Sequence, residues 1–447
     1  MMFTKEEMIE ASGAEVLFDN GNNVKYNIST DTRTIAAGDI YLPLKGESFD
    51  GEDFIQNALA SGVRAYFTLK NNIFDGADLV LKVSDTKKAY MDLAKYYLNL
   101  VNPIKVGVTG SSGKTTTKEM IYSVLSHGFR THKTYSNHNN EIGFCQTVLS
   151  MPFDTEVLIV EMGMRGLGEI KLISDYLSPN VAVVTNSGSA HVGRLGSLDN
   201  IAIAKCEIAS GLVKDGFFVA KSQDIIKKHL NFEGKKCFYS LNDVHVIEKS
   251  RSCSKFEYKD GVYELNVEGD YNIENSLAAI EVGLYLGMSS HDISKGLLSY
   301  KPIEKRWEII KLGSLNFIND SYNANPESMS AATKTFIELY DNPVVVLGNM
   351  GELGDCETDY HAKVGEYIAS VAKGKNIKFI TVGNLAAEIG KILKEKDFDV
   401  EIFDDNKQAS CYIVENLRGD YTIFLKASRA MKFEEIIDDV RRGIVKL

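Results

Sequence analysis

The stretch Val106–Met120, "VGVTGSSGKTTTKEM", decides how the rest of the chain is read. With Ile104 and Lys105 before it, "IKVGVT" is an apolar, β-branched run that predicts a strand. From Lys114 to about His127 the pattern turns helical. A glycine-rich turn, Gly110-Ser111-Ser112-Gly113, lies between them. A standard phosphate-binding loop spaces glycine, four residues, then Gly-Lys-Ser/Thr. Counting back from Gly113-Lys114-Thr115 puts Val108 where that glycine belongs; Gly107 comes too early and Gly110 too late. The chemistry survives the altered spacing. Glycines let the backbone N–H groups of residues Thr109 to Gly113 turn toward an anion at the helix N-terminus. Lys114 reaches β- and γ-phosphate oxygens, and the hydroxyl of Thr115 or Thr116 reaches Mg²⁺. A plain glycine turn accounts poorly for a lysine followed by three threonines, which are weak helix formers.

Outward from this loop, apolar strand-like runs alternate with helical patterns over 103–302: "EVLIVEMG", "NVAVVTNS" and "GFFVAKS" follow in turn. Such alternation predicts a parallel sheet covered on both faces. The segment 235–268 reads as hairpin-like. From 303 to 447 the alternation restarts with "LNFIND", "PVVVLGNM", "KFITVG", "DVEIFD" and "YTIFLKAS", predicting a second, doubly wound α/β domain. Before the "VNP" linker, residues 1–102 hold short strands in "DIYLPL" and "RAYFTL" and a helix in "TKKAYMDLAKYYLNL". The expectation is therefore an α/β protein of three domains: 1–102, 103–302 and 303–447. A net charge of −11 leaves no overall basic footprint for nucleic acid. No window approaches 18 uninterrupted apolar residues, and the N-terminus lacks the pattern of a signal peptide. Six scattered cysteines without a C-x-x-C pair read as reduced thiols. A cytoplasmic protein without membrane insertion is expected.

In sheets of this kind ligands bind beyond the carboxyl ends of the strands. Glu161 ends one strand and His191 lies in the loop after the next. Singly, one reads as a helix-dipole partner and the other as a satisfied loop histidine. Together with the phosphate loop they make three successive strand ends delivering phosphate or metal groups to one edge. Lys205, on an apolar-sided helix, reads by itself as a snorkelling lysine. Asn272 and Asn275 are spaced to share a helix face. Arg306 follows the second domain boundary, and Asp320 at a strand end is a candidate for ribose or phosphate. In "SYNANPES", Tyr322, Asn323 and Asn325 precede a helix, where an Asx turn with an N-cap is the bland reading. Lys426 and Arg429 are equally compatible with binding a carboxylate and with a solvated basic turn.

Thr109–Thr115 resembles the shorter ATP loop of the Mur ligase and folylpolyglutamate synthetase superfamily, which lacks the first glycine. Several further strings resemble the Mur ligases: "YNANPESM", "VLGNMGELGD", His361, "KASRAMKFEEI" and "NHNNEIGF". So does the N-terminal "STDTRTIAAGDIYLPLKGESFDGEDFI". The resemblance covers all three regions. It implies an N-terminal uridine-nucleotide domain with Thr32, Arg33, Gly46, Asp50 and Gly51 at the substrate, joined by Asn137, Asn139 and Asn140. It implies a central ATPase domain in which Thr115, Glu161 and His191 serve Mg²⁺, two ions being expected, and in which Lys205 is a carbamylated lysine. Catalysis would then rest on Lys114, Glu161, His191 and Lys205. ATP would be held by residues 109–116 with Asn272, Asn275, Arg306 and Asp320. Tyr322, Asn323, Asn325, Lys426 and Arg429 would face an incoming dipeptide in a Rossmann-like C-terminal domain. The implied reaction is ATP-dependent addition of D-alanyl-D-alanine to UDP-N-acetylmuramoyl-tripeptide through an acyl phosphate, by a monomer. A relative that adds a single amino acid, or a nucleotide-binding scaffold that makes no bond, remains the alternative. Asn319, where the family commonly has aspartate, and Tyr271, where it has histidine, depart from the pattern.

Overall fold

The computed structural model describes residues 2–46, 48–303, 305–417 and 419–444. Four sheets organise them. In the N-terminal region Leu79–Lys82, Ala65–Thr68, Asp39–Tyr41 and Asn27–Ser29 run parallel, and Glu15–Asp19 closes one edge antiparallel. The helix Thr86–Val101 buries Tyr90, Leu93, Ala94 and Tyr97 against this unit and ends at Asn102, whose φ of 48° stops it before Pro103.

The central sheet is parallel throughout, in the order Lys235–Tyr239, Phe217–Lys221, Val181–Val184, Ile104–Thr109, Val157–Glu161, Thr131–Lys133. Its middle strands are apolar on both faces because helices cover both. One face meets the helices Lys114–Leu125 and Asp270–Tyr285. The order places the phosphate-loop strand between the strands ending at Glu161 and Val184, at the point where the winding reverses. Lys235–Tyr239 corrects the hairpin reading of 235–268: it pairs parallel with Phe217–Lys221. Only Val244–Lys249, Ser254–Tyr258 and Gly261–Leu265 form an antiparallel sheet.

The C-terminal sheet runs Glu308–Leu312, Leu315–Asn319, Thr422–Lys426, Pro343–Gly348, Lys378–Val382, Asp399–Phe403. It is parallel except for Glu308–Leu312, an edge strand that the sequence reading missed. Its exposed Ile309 and half-polar pattern give too short an apolar run to read as a strand alone. Among the described residues no helix is long and apolar enough to cross a membrane. All six cysteines are free thiols.

Candidate active site

Two glycines make the phosphate loop possible. Gly110 has φ +151°, and a Cβ there would lie 1.8 Å from Thr185 Oγ1. Gly113 has φ +76°, and its Cβ would meet Asn275 Oδ1 at 2.4 Å. The loop is clamped by the end of the neighbouring strand. Ser112 N–H donates to Asn186 Oδ1 at 3.0 Å, while Asn186 Nδ2 and Thr185 Oγ1 donate to Ser112 O at 3.0 and 2.6 Å. Thr109 Oγ1 donates to Met162 O at 2.8 Å, tying the loop's start to the Glu161 strand. Such tethering holds the loop ready before any ligand arrives. Lys114 Nζ donates to Gly110 O at 2.7 Å. Burial pushes its pKa down, and the charge of Glu161 acts against that.

The other strand ends converge on this loop. Glu161 is buried; its Oε1 accepts from Asn139 Nδ2 at 3.1 Å, and Oε2 lies 3.6 Å from Lys118 Nζ. Lys118, one turn along the helix from Lys114, was not foreseen; its i, i+4 spacing was the available signal. It is buried and donates to Thr134 O at 2.8 Å. His191 adopts φ +69°, and its Nδ1 sits 2.5 Å from Glu352 Oε2. Glu352 was also missed: it lies within "VLGNMGELGD", but nothing local shows which residue it meets. Lys205 is fully buried, with no hydrogen-bond partner for Nζ among the described residues. Desolvation, helped by the charge of Lys114, holds its pKa well below the lysine range.

From the other side of the cleft, Arg306 donates to Thr115 Oγ1 at 3.0 Å and stacks on Tyr322, 4.2 Å from the ring centroid. Lys426 Nζ donates to Asp320 Oδ2 at 2.5 Å and is 3 % exposed, so it is not part of a solvated turn. Arg429 is exposed, 3.6 Å from Glu434. Asn325 caps the helix Pro326–Leu339 in a reciprocal box with Ser328, so its side chain has a structural task. Asn323 Oδ1 accepts from Ala324 N–H. Asn272 donates to Glu268 O at 2.7 Å, and Asn275 accepts from Thr117 Oγ1 at 3.3 Å. Asn319 accepts from Ser321 and donates to Glu308 at 3.3 Å; an aspartate could not make the second bond. Tyr271 packs against Trp307, centroids 6.0 Å apart.

Most of these groups line one cavity of ≈ 1570 Å³. It holds Ser111–Thr116, Asn137, Asn139, Asn140, Glu161, His191, Asn272, Asn275, Arg306, Asp320, Tyr322, Asn323, Asn325, Lys426 and Arg429. That exceeds the roughly 300–1,000 Å³ usual for one small ligand, leaving room for more than a nucleotide. Lys205 is not on its wall, and neither are Thr32, Arg33, Gly46, Asp50 and Gly51. The residues expected at a uridine nucleotide thus fall into two groups. The asparagines sit with Glu161, where Asn140 also caps the helix Glu141–Leu149. The others stay on loops of the N-terminal unit. Arg33 makes a bidentate pair with Asp31 at 2.9 and 2.7 Å, which holds the Asp31 carboxyl down at about 2. Asp50 caps the short helix Gly51–Phe54.

The donor set fits a magnesium-nucleotide site. Thr115 and Glu161 offer hard oxygens, and the buried Oε2 of Glu161 lacks a hydrogen-bond partner among the described residues. No three His, Cys, Asp or Glu side chains converge among the described residues. Mg²⁺ is usually held by one or two carboxylates together with phosphate oxygens, so this is enough.

The chain matches three families: the Mur ligase middle domain over residues 108–283, the Mur ligase glutamate ligase domain over 305–429, and the Mur ligase family catalytic domain over 25–100. The UDP-N-acetylmuramoyl-tripeptide--D-alanyl-D-alanine ligase of Bacillus subtilis (strain 168) is 38 % identical to it, covering 97 % of this chain and 96 % of that protein. The enzyme of the same name from Escherichia coli (strain K12) is 30 % identical over 96 % of this chain and 95 % of its own. Crystal structure I of MurF from Acinetobacter baumannii superposes with a TM-score of 0.89 at 27 % identity, covering 99 % of each chain.

Proposed function

The chain belongs to the Mur ligase family, and on that premise we propose that it joins D-alanyl-D-alanine to UDP-N-acetylmuramoyl-tripeptide at the expense of ATP, making the pentapeptide precursor of peptidoglycan. The observation that carries the reading is the meeting of three strand ends, bearing the phosphate loop, Glu161 and His191, with the Asp320–Lys426 pair across one cavity.

The tripeptide carboxylate attacks the ATP γ-phosphorus; an acyl phosphate forms and ADP leaves. The dipeptide amine, having lost its proton, then attacks the acyl carbon. A tetrahedral intermediate collapses to the amide and releases inorganic phosphate. Lys114, at the loop, offsets charge on the transferring phosphoryl oxygens, and the loop N–H groups cradle the rest. Arg306 reaches Thr115 from the C-terminal unit, so nucleotide placement depends on both units. Mg²⁺, held through Thr115, Glu161 and His191, would neutralise the developing phosphate charge. Lys205 suits carbamylation, because burial favours its neutral amine, the form that reacts with CO₂. As a carbamate it would offer oxygen where an ammonium would repel a cation. Asn137 and Asn139 would guide the tripeptide from an N-terminal uridine site formed by Thr32, Arg33 and Asp50. Asp320, Tyr322, Lys426 and Arg429 would orient ATP and the dipeptide.

The test is phosphate release. It should require ATP, UDP-N-acetylmuramoyl-tripeptide and D-alanyl-D-alanine together. Release with a single amino acid in place of the dipeptide would point to another ligase, and no release with any acceptor to a scaffold.

A further inference from the structure

We propose that Glu352 is a positioning residue for His191, so that the metal side of the site is completed by the C-terminal unit; this rests on the ligase reading above. His191 belongs to the central unit, on the turn preceding Val192–Leu195. Glu352 belongs to the turn after the C-terminal strand Pro343–Gly348. The two side chains meet at 2.5 Å through Nδ1 and Oε2.

The contact is built from both sides. His191 and Glu352 both adopt left-handed backbone, φ +69° and +63°, a conformation that costs about 1–2 kcal/mol for a residue with a Cβ. Beside the pair, Gly193 N–H donates to Glu352 O at 3.1 Å. Gly193 and Gly354 touch so closely that a Cβ on Gly193 would lie 2.4 Å from Gly354 N. The Glu352 turn is braced from behind by His361, which is fully buried. His361 Nε2 accepts from Met350 N–H at 2.9 Å, and its Nδ1 faces Glu357 O at 2.6 Å. The imidazole is therefore neutral, with its proton on Nδ1, and both nitrogens are used. A freely moving surface glutamate would need none of this.

The chemistry follows from the ring. The carboxylate stands at ion-pair distance from Nδ1, outside hydrogen-bonding angles, and Nδ1 has no other partner among the described residues. A small turn of the ring brings Nδ1–H onto it, which fixes the His191 tautomer and leaves the Nε2 lone pair for a cation. Partners of this kind orient a ligating histidine, and losing them typically weakens metal binding about 10–100-fold. Because Glu352 comes from the other unit, His191 is aimed only while the two turns are seated on each other. The device also explains why the sequence places "GEL" in a glycine-flanked turn.

The experiment measures Mn²⁺ affinity by electron paramagnetic resonance, with a non-hydrolysable ATP analogue bound to the full-length protein. Glu352→Ala should raise the apparent Mn²⁺ Kd about tenfold. Glu352→Gln, which keeps an acceptor but not the charge, should retain most of the affinity. The effect of Glu352→Ala should vanish in a His191→Ala background. Gly193→Ala, which unseats the turn without touching charge, should mimic Glu352→Ala. Wild-type affinity in Glu352→Ala would overturn the proposal. So would equal losses in the Gln and Ala variants, which would mean charge alone matters, or a loss that persists without His191. If His191→Ala itself leaves Mn²⁺ affinity unchanged, both this proposal and the metal assignment of His191 fail, while the phosphate-release assay still decides the reaction.

Discussion

Replacing Glu268 with alanine should loosen the joint between the central and C-terminal units. Glu268 is 3 % exposed and precedes the helix Asp270–Tyr285 of the central unit. Its Oε1 accepts from Trp307 Nε1 and from Tyr340 Oη, both at 2.6 Å and both from the C-terminal unit. Trp307 is 5 % exposed, and Tyr340 is half-buried. A buried donor left without a partner costs about 1–3 kcal/mol, so the Trp307 N–H alone should cost about 2 kcal/mol and the pair about 3 kcal/mol. Glu268→Gln keeps a carbonyl acceptor and loses only charge assistance, so about 1 kcal/mol is expected. Urea unfolding followed by far-ultraviolet circular dichroism measures the loss. The emission of Trp307, the only tryptophan in the chain, reports the joint itself. Since Arg306 adjoins Trp307 and donates to Thr115, ADP affinity should fall with stability in Glu268→Ala. A Glu268→Ala protein within about 0.5 kcal/mol of wild type would refute the reasoning, because that is the range of ordinary surface substitutions. A Gln variant as unstable as the Ala variant would refute the hydrogen-bond account in favour of the charge.

Gly113→Ala should weaken ADP binding at least tenfold in calorimetric titration, because φ +76° and the 2.4 Å approach to Asn275 both exclude a Cβ; undiminished affinity would show that the loop adapts. Lys205→Ala should abolish phosphate release, with part of the activity restored by a small carboxylic acid in solution and none by Lys205→Arg; full activity of the Arg variant would rule out the carbamate. Acid should destabilise the fold through His361, whose pKa burial lowers. The native ring resists protonation while the unfolded one titrates near 6.5, so stability is complete above about pH 6.5 and falls below it, by at most about 1.4 kcal/mol per pH unit. His361→Gln should be less stable at pH 7.5 yet lose less between pH 7.5 and 5.5 than wild type, as read from urea midpoints; parallel losses would locate the sensitivity elsewhere.

Local pattern carried much of this protein. The strand–glycine turn–helix of 104–125, the alternation of apolar runs with helices, and the restart after residue 303 are periodicities of a few residues, and the backbone geometry of single elements dictates them. Lys114, Glu161, His191 and Asp320 could be singled out because each follows an apolar run, and strand ends are where α/β sheets expose chemistry. Which strand end faces which was not legible. Lys235–Tyr239 joins the central sheet in parallel although its sequence suits a hairpin, since partner choice depends on which edge is open. Glu352 meets His191, Lys118 reaches Glu161 and Lys426 buries itself on Asp320 because sheet order and the seating of two units bring distant segments together. The residues expected at one nucleotide divide between the N-terminal loops and the central cavity for the same reason. Residue type and spacing determine what a side chain can do; the packing of sheets and helices, set by contacts distant in sequence, decides which partner it has, how dry it is and how readily it ionises.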